Sequence, residues 1–304
     1  MLLKGSNGGR RLTLAEDSVL ENGLYLIGTG VGSALNMSIG GQRIATACEH
    51  RFLEGYTSLL DTDENIRLET IVGAYSVIRR PAVEVPDTLL GLAKTSSVAL
   101  MVIGDPLQAT THVDLLLRCR DEQIHAEVHH AVSIVDLVCA GIGLQSYKFG
   151  RQVTIPFPYS GHVPTSPLEL IADNFELGLH TLVLLDLDPT GKGVDEPLPM
   201  SPAQAIGAIH KMVERLDDDP PPHLLEEEEY TPQMQLRKAG LSNLIGNGIG
   251  DVVGVLCSNM GRREQEVNLG TLNELKELNI DGIHSLVILG PLSGLEEEAL
   301  KRLH

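Results

Sequence analysis

Tryptophan is missing from the 304-residue chain, and aromatic residues amount to only 3%. A core must then be built from Leu, Val, Ile and Ala. The scarcity also argues against the stacked aromatic platforms of single-stranded nucleic-acid binders. Cysteine is sparse too: Cys48, Cys119, Cys139 and Cys257 lie far apart and form no CxxC pair. That spacing argues against a disulfide framework and a structural zinc site, and it suits a reducing cytoplasm. No apolar run reaches the roughly 20 residues a membrane helix needs. Arg10 and Arg11 are not followed by an apolar stretch, so no signal peptide is expected. Positive charge is short as well: 23 Lys and Arg stand against 41 Asp and Glu, a formal net charge of −18. Such a chain repels phosphate backbones, which argues against direct nucleic-acid binding. The acidity suits a basic protein partner and equally suits plain solubility.

What is present is an ordinary globular mixture, 42% apolar, with 31 glycines. The length allows two α/β domains, each with its own core. The most informative stretch is Val98 to Ile103, an apolar run too short for a membrane and suited to a strand buried on both faces of a parallel sheet. Gly104 and Pro106 then stop the ladder, with Asp105 between them. The carboxyl end of such a strand is where open α/β sheets bind ligands. The plainer alternative is that Asp105 caps the next helix through Thr110 or Thr111.

Along the chain, Met1 to Asn22 is polar and aperiodic, and it reads as an extension outside the fold. Leu24 to Ile27 is a short strand, followed by the glycine loop Gly28-Thr29-Gly30-Val31-Gly32. Its GxGxG spacing lacks the P-loop lysine, so it signals only a close backbone approach or a tight turn. Helical spacing marks Ile39–Cys48, Asp87–Lys94, Val113–Arg120 and a segment starting near Ser133. Arg51–Glu54, Ile71–Ile78 and Ala126–His129 read as strands, and Leu59–Glu69 as irregular or helical. This alternation predicts a mostly parallel sheet with right-handed crossovers. The composition shifts at Lys148-Phe149-Gly150, which divides a domain over 23–147 from one over 148–304. In the second, His180–Leu185 reads as a strand ending in Asp186, with further strands at Asp251–Cys257 and His284–Leu289. Helices are expected at Leu168–Leu177, Pro202–Leu216, Leu272–Glu277 and Glu296–Leu303. The acidic, proline-bearing stretch 217–229 reads as a solvated loop without EF-hand spacing.

Several quoted motifs occur together and in order. They are Gly28 to Gly32, then Leu53-Glu54-Gly55-Tyr56-Thr57-Ser58, then Gly104-Asp105-Pro106 with Ala109-Thr110-Thr111-His112. Gly143-Leu144-Gln145, Tyr147-Lys148-Phe149-Gly150, His180-Thr181-Leu182, Leu184-Leu185-Asp186 and His284-Ser285-Leu286 follow. In this the chain resembles the diphthine synthases, methyltransferases of the tetrapyrrole-methylase fold. The resemblance implies two α/β domains with S-adenosylmethionine in the cleft between them, S-adenosylhomocysteine as product, and a homodimer. It implies methyl transfer to the amine of a 3-amino-3-carboxypropyl-histidine on translation elongation factor 2, within diphthamide biosynthesis. Archaeal members trimethylate that amine, and eukaryotic members also methylate the carboxylate.

Carried over residue by residue, the resemblance implies cofactor contacts from Val31, Asp105, Gln108, Ser133, Ile134, Leu185, Met260 and His284, several through backbone groups. Gln108 stands where the family usually has glycine, and His130-Ala131-Val132-Ser133-Ile134 replaces its usual His-Asn-Ala-Ser-Ile. Glu196-Pro197-Leu198-Pro199-Met200 lacks an arginine and a tyrosine that the family carries there. No metal is expected. His112 and Glu54 are the polar candidates for a general base, although each also suits a structural role. Two other readings remain open at this point: a corrin or ribosomal-RNA methyltransferase on the same fold, and a non-catalytic relative that binds the factor.

Overall fold

The computed structural model describes residues 20–159, 162–221, 224 and 231–303. The expected extension up to residue 19, and residues 222, 223 and 225–229 of the expected acidic loop, lie outside the described residues. Of that loop's start, Asp217 and Asp218 are helical, the last turn of a helix from Pro202.

The first sheet is built from β1 (Gly23–Gly28), β2 (His50–Glu54), β3 (Ser76–Ile78), β4 (Ser97–Val102) and β5 (His125–His129), in the order β3-β2-β4-β1-β5. Every pairing in it is parallel. β4 is central and wholly buried, as its unbroken apolar run requires. Side chains alternate across it. Tyr25, Ile27, Ala99 and Met101 pack on one face with α1 (Ile39–Ala47) and α2 (Thr62–Val72). Leu24, Leu26, Val98, Leu100 and Val102 pack on the other, with α4 (Asp87–Ala93) and α5 (Val113–Asp121). Between β3 and α4 lies the short α3 (Arg80–Glu84). After β1 the chain crosses on one face, and after β4 on the opposite face. The neighbours β1 and β4 therefore flank the switch point of the sheet, where a crevice opens at their carboxyl ends.

The second sheet runs β6 (Val153–Ile155), β7 (Thr181–Leu185), β10 (His284–Ile288), β8 (Val253–Ser258) and β9 (Glu266–Thr271) in that order. Only β6 and β7 are parallel; β7–β10, β10–β8 and β8–β9 are antiparallel. One face carries α7 (Ser166–Glu176), α8 (Pro202–Asp218) and the Pro232–Ile245 and Leu272–Lys276 helices. On the other, Leu182, Val255, Cys257 and Val287 pack with Val138 and Ile142, from and just after α6 (Ile134–Gly141), and with Leu300 of the last helix.

Several sequence expectations need correction. The strand expected from Ile71 begins only at Ser76, because α2 continues to Val72 and ends where Gly73 turns at φ 89°. Asp61 caps that helix, its carboxylate accepting from the Glu64 N–H at 2.9 Å. β9, α3 and the Pro232–Ile245 helix carried no expectation. That helix is held by charge: Arg237 donates to Glu169 and Asp173 of α7, at 3.0 and 2.5 Å between closest atoms.

The junction motifs close around one fully buried carboxylate. Glu296 Oε1 accepts from the Gln145 N–H at 3.2 Å and meets His180 Nε2 at 3.2 Å, while Oε2 pairs with Lys148 Nζ at 2.7 Å. The Gly290 N–H donates to His180 Nδ1 at 3.0 Å, which leaves Nε2 as the protonated nitrogen facing Glu296. Burial alone would raise the Glu296 pKa, but Lys148, the Ser293 and Gln145 amides and His180 hold it well below the carboxylate range. Burial likewise keeps His180 neutral, pushing its pKa below the ordinary 6.5 against the pull of Glu296.

Both groups bind fewer protons folded than unfolded, so the stability they contribute is present at high pH and lost on acidification. Loss is expected to start as pH falls below 6.5, where unfolded His180 takes up a proton, and to continue through the carboxylate range. Glu296→Ala should cost about 3 kcal/mol by urea unfolding and remove the lower part of that pH dependence. A cost under about 1 kcal/mol would show that the network is not holding the junction.

Candidate active site

The β1 and β4 loops meet at the switch point. Gly30 and Gly104 bond each other as an isolated antiparallel bridge, N to O at 3.2 and 2.9 Å. Both need the left-handed region, at φ 74° and 91°, where a side chain is strained. Asp105 does not cap the following helix. Its Oδ1 accepts from the Leu107 N–H at 2.9 Å. Its Oδ2 accepts from the Ala131 N–H at 3.2 Å and meets His130 Nδ1 at 2.8 Å. The carboxylate thus pins the β4 loop to the segment that enters α6. Ser133 begins that helix with a capping box, bonding the Val135 N–H while Asp136 bonds its own.

The second sheet faces these loops. Because β7 and β10 are antiparallel, the carboxyl end of β7 lies beside the start of β10. Leu184, Leu185 and Leu187 and then Ile283, His284 and Ser285 form the opposite wall. Between the walls is a cleft of about 120 Å³, also lined by Val31, Thr57, Ser58, Gly104, Asp105, Gln108, Ala109, Thr110, Ser133 and Ile134. It is tighter than the roughly 300–1,000 Å³ of ordinary small-molecule sites, so a larger ligand needs its walls to part. Ala109, in the wall, holds φ 57° without being glycine, a conformation that costs roughly 1–2 kcal/mol. His284 is buried, its Nδ1 2.8 Å from Ser258 Oγ. Burial lowers its pKa, against the Ile280 carbonyl and Asp281.

Val31, Asp105, Gln108, Ser133, Ile134, Leu185 and His284 therefore come together, although they lie on five segments distant in sequence. Met260 does not line the cleft; it is buried in the apolar cluster against which Ile134 and Leu137 pack. His112 and Glu54 also lie outside the lining. His112 is buried with Nδ1 2.9 Å from the Pro106 carbonyl. The Glu54 carboxylate accepts from the Tyr56 and Thr57 N–H groups at 3.0 and 2.8 Å and from the Thr57 hydroxyl at 2.5 Å. Glu54 is spent on holding its own loop, whereas His112 holds its loop through Nδ1 alone and its Nε2 is buried without a hydrogen-bond partner. Thr57, Ser58 and Ile283 were not singled out as contacts; Thr57 and Ser58 belong to a motif whose glycine and hydroxyls were its available signal.

A profile of the Tetrapyrrole (Corrin/Porphyrin) Methylases matches residues 23–221, which defines the class of enzyme. Within it, a diphthine methyl ester synthase of Schizosaccharomyces pombe is 32% identical over 91% of this chain and 93% of its own. A diphthine synthase of Methanocorpusculum labreanum is 29% identical over 92% of this chain and 98% of its own. The crystal structure of a candidate diphthine synthase from Entamoeba histolytica superposes with a TM-score of 0.72 at 28% identity, covering 92% of this chain and 97% of that one. The chain belongs to the diphthine synthase family of methyltransferases.

Glu54→Ala leaves the Tyr56 and Thr57 donors without their acceptor. It is expected to cost about 1–3 kcal/mol in urea unfolding and to raise amide exchange at Tyr56 and Thr57. Unchanged exchange at both amides would remove the anchoring role.

Proposed function

We propose that this protein transfers methyl groups from S-adenosylmethionine to the amine of a 3-amino-3-carboxypropyl-histidine on translation elongation factor 2, releasing S-adenosylhomocysteine. The observation that supports this best is the convergence of the β1, β4 and α6 entry loops with the β7–β10 wall at one cleft. The residues fit such a cofactor in kind. At Gly104 an added Cβ would meet only Val31 Cγ2, at 3.7 Å, so the backbone there stands open to a ligand. Val31, Ile134 and Leu185 offer apolar contact.

When bound, the cofactor would supply a methyl group on a sulfonium sulfur, which takes back the bonding pair as the methyl leaves. The protein's task is then alignment, a large share of catalysis for such a displacement. Asp105 acts by holding two loops in register. Of the lining groups, Asp105 and His284 alone can titrate among the described residues, and both are engaged by neighbours. The amine therefore gives up its proton to water before attack, and no side chain is assigned as base.

Intact mass of elongation factor 2 carrying the aminocarboxypropyl histidine, after incubation with the protein and S-adenosylmethionine, is expected to rise in methyl steps. No rise, with tight S-adenosylhomocysteine binding, would refute the substrate. Asp105→Ala should weaken S-adenosylhomocysteine by about 2 kcal/mol in calorimetry, roughly thirtyfold, with the circular dichroism unchanged. Equal affinity would refute the cofactor site.

A further inference from the structure

Beside the cleft lies a second cavity, of about 340 Å³, lined by Tyr56, Thr57, Arg80, Glu84 and Ala109 to Thr111. Thr57, Ala109 and Thr110 line both spaces, so one thin wall separates them. That wall contains the strained Ala109.

Arg80 is set into this cavity by contacts with two residues distant from each other in sequence, Tyr56 and Gly193. Its guanidinium carbon lies 5.2 Å from the centre of the Tyr56 ring. Its backbone N–H donates to the Gly193 carbonyl at 3.2 Å. Gly193, at φ 66°, packs so close that an added Cβ would sit 2.6 Å from Arg80 Cβ. The Asp188 carboxylate shapes that turn by accepting from the Thr190, Gly191 and Gly193 N–H groups at 3.0, 3.0 and 2.6 Å. Its neighbour Arg79 is already committed, to the Gly55 carbonyl and to Glu196. Arg80 is held more loosely: its Nε is buried without a hydrogen-bond partner, and its ion pair to Glu84, from Nη1 to Oε1, is long at 3.8 Å and partly exposed. An arginine over a ring, lining a cavity with donors of its fork not hydrogen-bonded, can receive a planar anion bidentately.

We propose that Arg80 determines specificity for the protein substrate: its guanidinium takes the carboxylate of the modified histidine's side chain. This rests on the function proposed above. In that side chain the carboxylate and the nucleophilic amine are carried on one carbon. A carboxylate seated on Arg80 therefore leaves the amine at the Thr57–Thr110 wall, toward the cleft. Glu84 gives way as the carboxylate replaces it, and its own charge then favours the incoming ammonium before deprotonation. Arg80 makes no contact with the cleft lining named for the cofactor, so its effect falls on the factor and not on S-adenosylmethionine.

Steady-state methyl transfer by the full-length protein tests this, with Arg80→Met and Arg80→Lys beside the wild type. Met keeps a stem under Gly193 and removes the charge. Lys keeps the charge and loses the fork. KM for the factor carrying the aminocarboxypropyl histidine is expected to rise about tenfold or more in Arg80→Met. The rise should be smaller in Arg80→Lys, with S-adenosylhomocysteine affinity within about twofold of wild type in both. An unchanged KM in Arg80→Met would overturn the proposal while wild-type activity upheld the reaction. Equal loss of S-adenosylhomocysteine affinity and melting temperature in both variants would also overturn it, making Arg80 a structural residue. A wild type that transfers no methyl group would sink the reaction and this inference together.

Discussion

One carboxylate, that of Asp105, holds together the loops on which the cleft depends. It lies at the carboxyl end of the wholly buried β4 and bonds both its own loop and the chain entering α6. Without it, the half-buried Leu107 and Ala131 N–H groups would lose their acceptor, a costly arrangement. The Gly30–Gly104 bridge adds the β1 loop to the same unit. Three loops from three separate parts of the sequence thus behave as one surface. Preorganisation of this kind is what a displacement reaction without a positioned base requires.

A second carboxylate does for the scaffold what Asp105 does for the site. Glu296 is fully buried, and the cost of desolvating it is offset because amides, Lys148 and His180 together fill its acceptor positions. The partners come from the segment after α6, the start of β7, and the last helix. The Lys148 and His180 motifs therefore act at a distance from the cleft. They fix how the second sheet meets α6, and α6 begins at the cleft with Ser133. A signature in the sequence need not mark a contact with a ligand; here much of it marks the joint that sets the opposite wall.

The first sheet was legible because its central strands β1 and β4 are buried on both faces and read as apolar runs, and because helices separate the strands. The cleft was legible in part through glycine and proline, whose backbone limits are local. Residues Val31 and Asp105 stand beside such punctuation. What was not legible has two physical causes. The Pro232–Ile245 helix spreads its apolar residues around its circumference and is fastened by Arg237 to Glu169 and Asp173, partners far away in sequence. β9 is an edge strand with no buried residue, and Leu269 is exposed, so its alternation of Val267 and Leu269 is weak. The roles of Glu54 and His112 were equally hidden, since a buried acceptor of local N–H groups, or a ring donating to a local carbonyl, looks like a catalytic group in a sequence.

The acidity of the chain sharpens the meaning of the few cations near the cleft. With a net charge of −18, most positions favour a cation. A sulfonium cofactor and a basic partner are attracted without specific contacts, at long range and weakly in salt. A carboxylate is repelled by the same field unless a particular arginine meets it. Arg79 is paired with Glu196 and the Gly55 carbonyl, so it stabilises the loop instead of offering charge. Arg80 alone of this pair keeps unused donors, and its turn is fixed from the second half of the chain through Gly193. The general field therefore favours approach, while discrimination between one amine-bearing side chain and another falls to a single guanidinium whose position both halves of the protein determine.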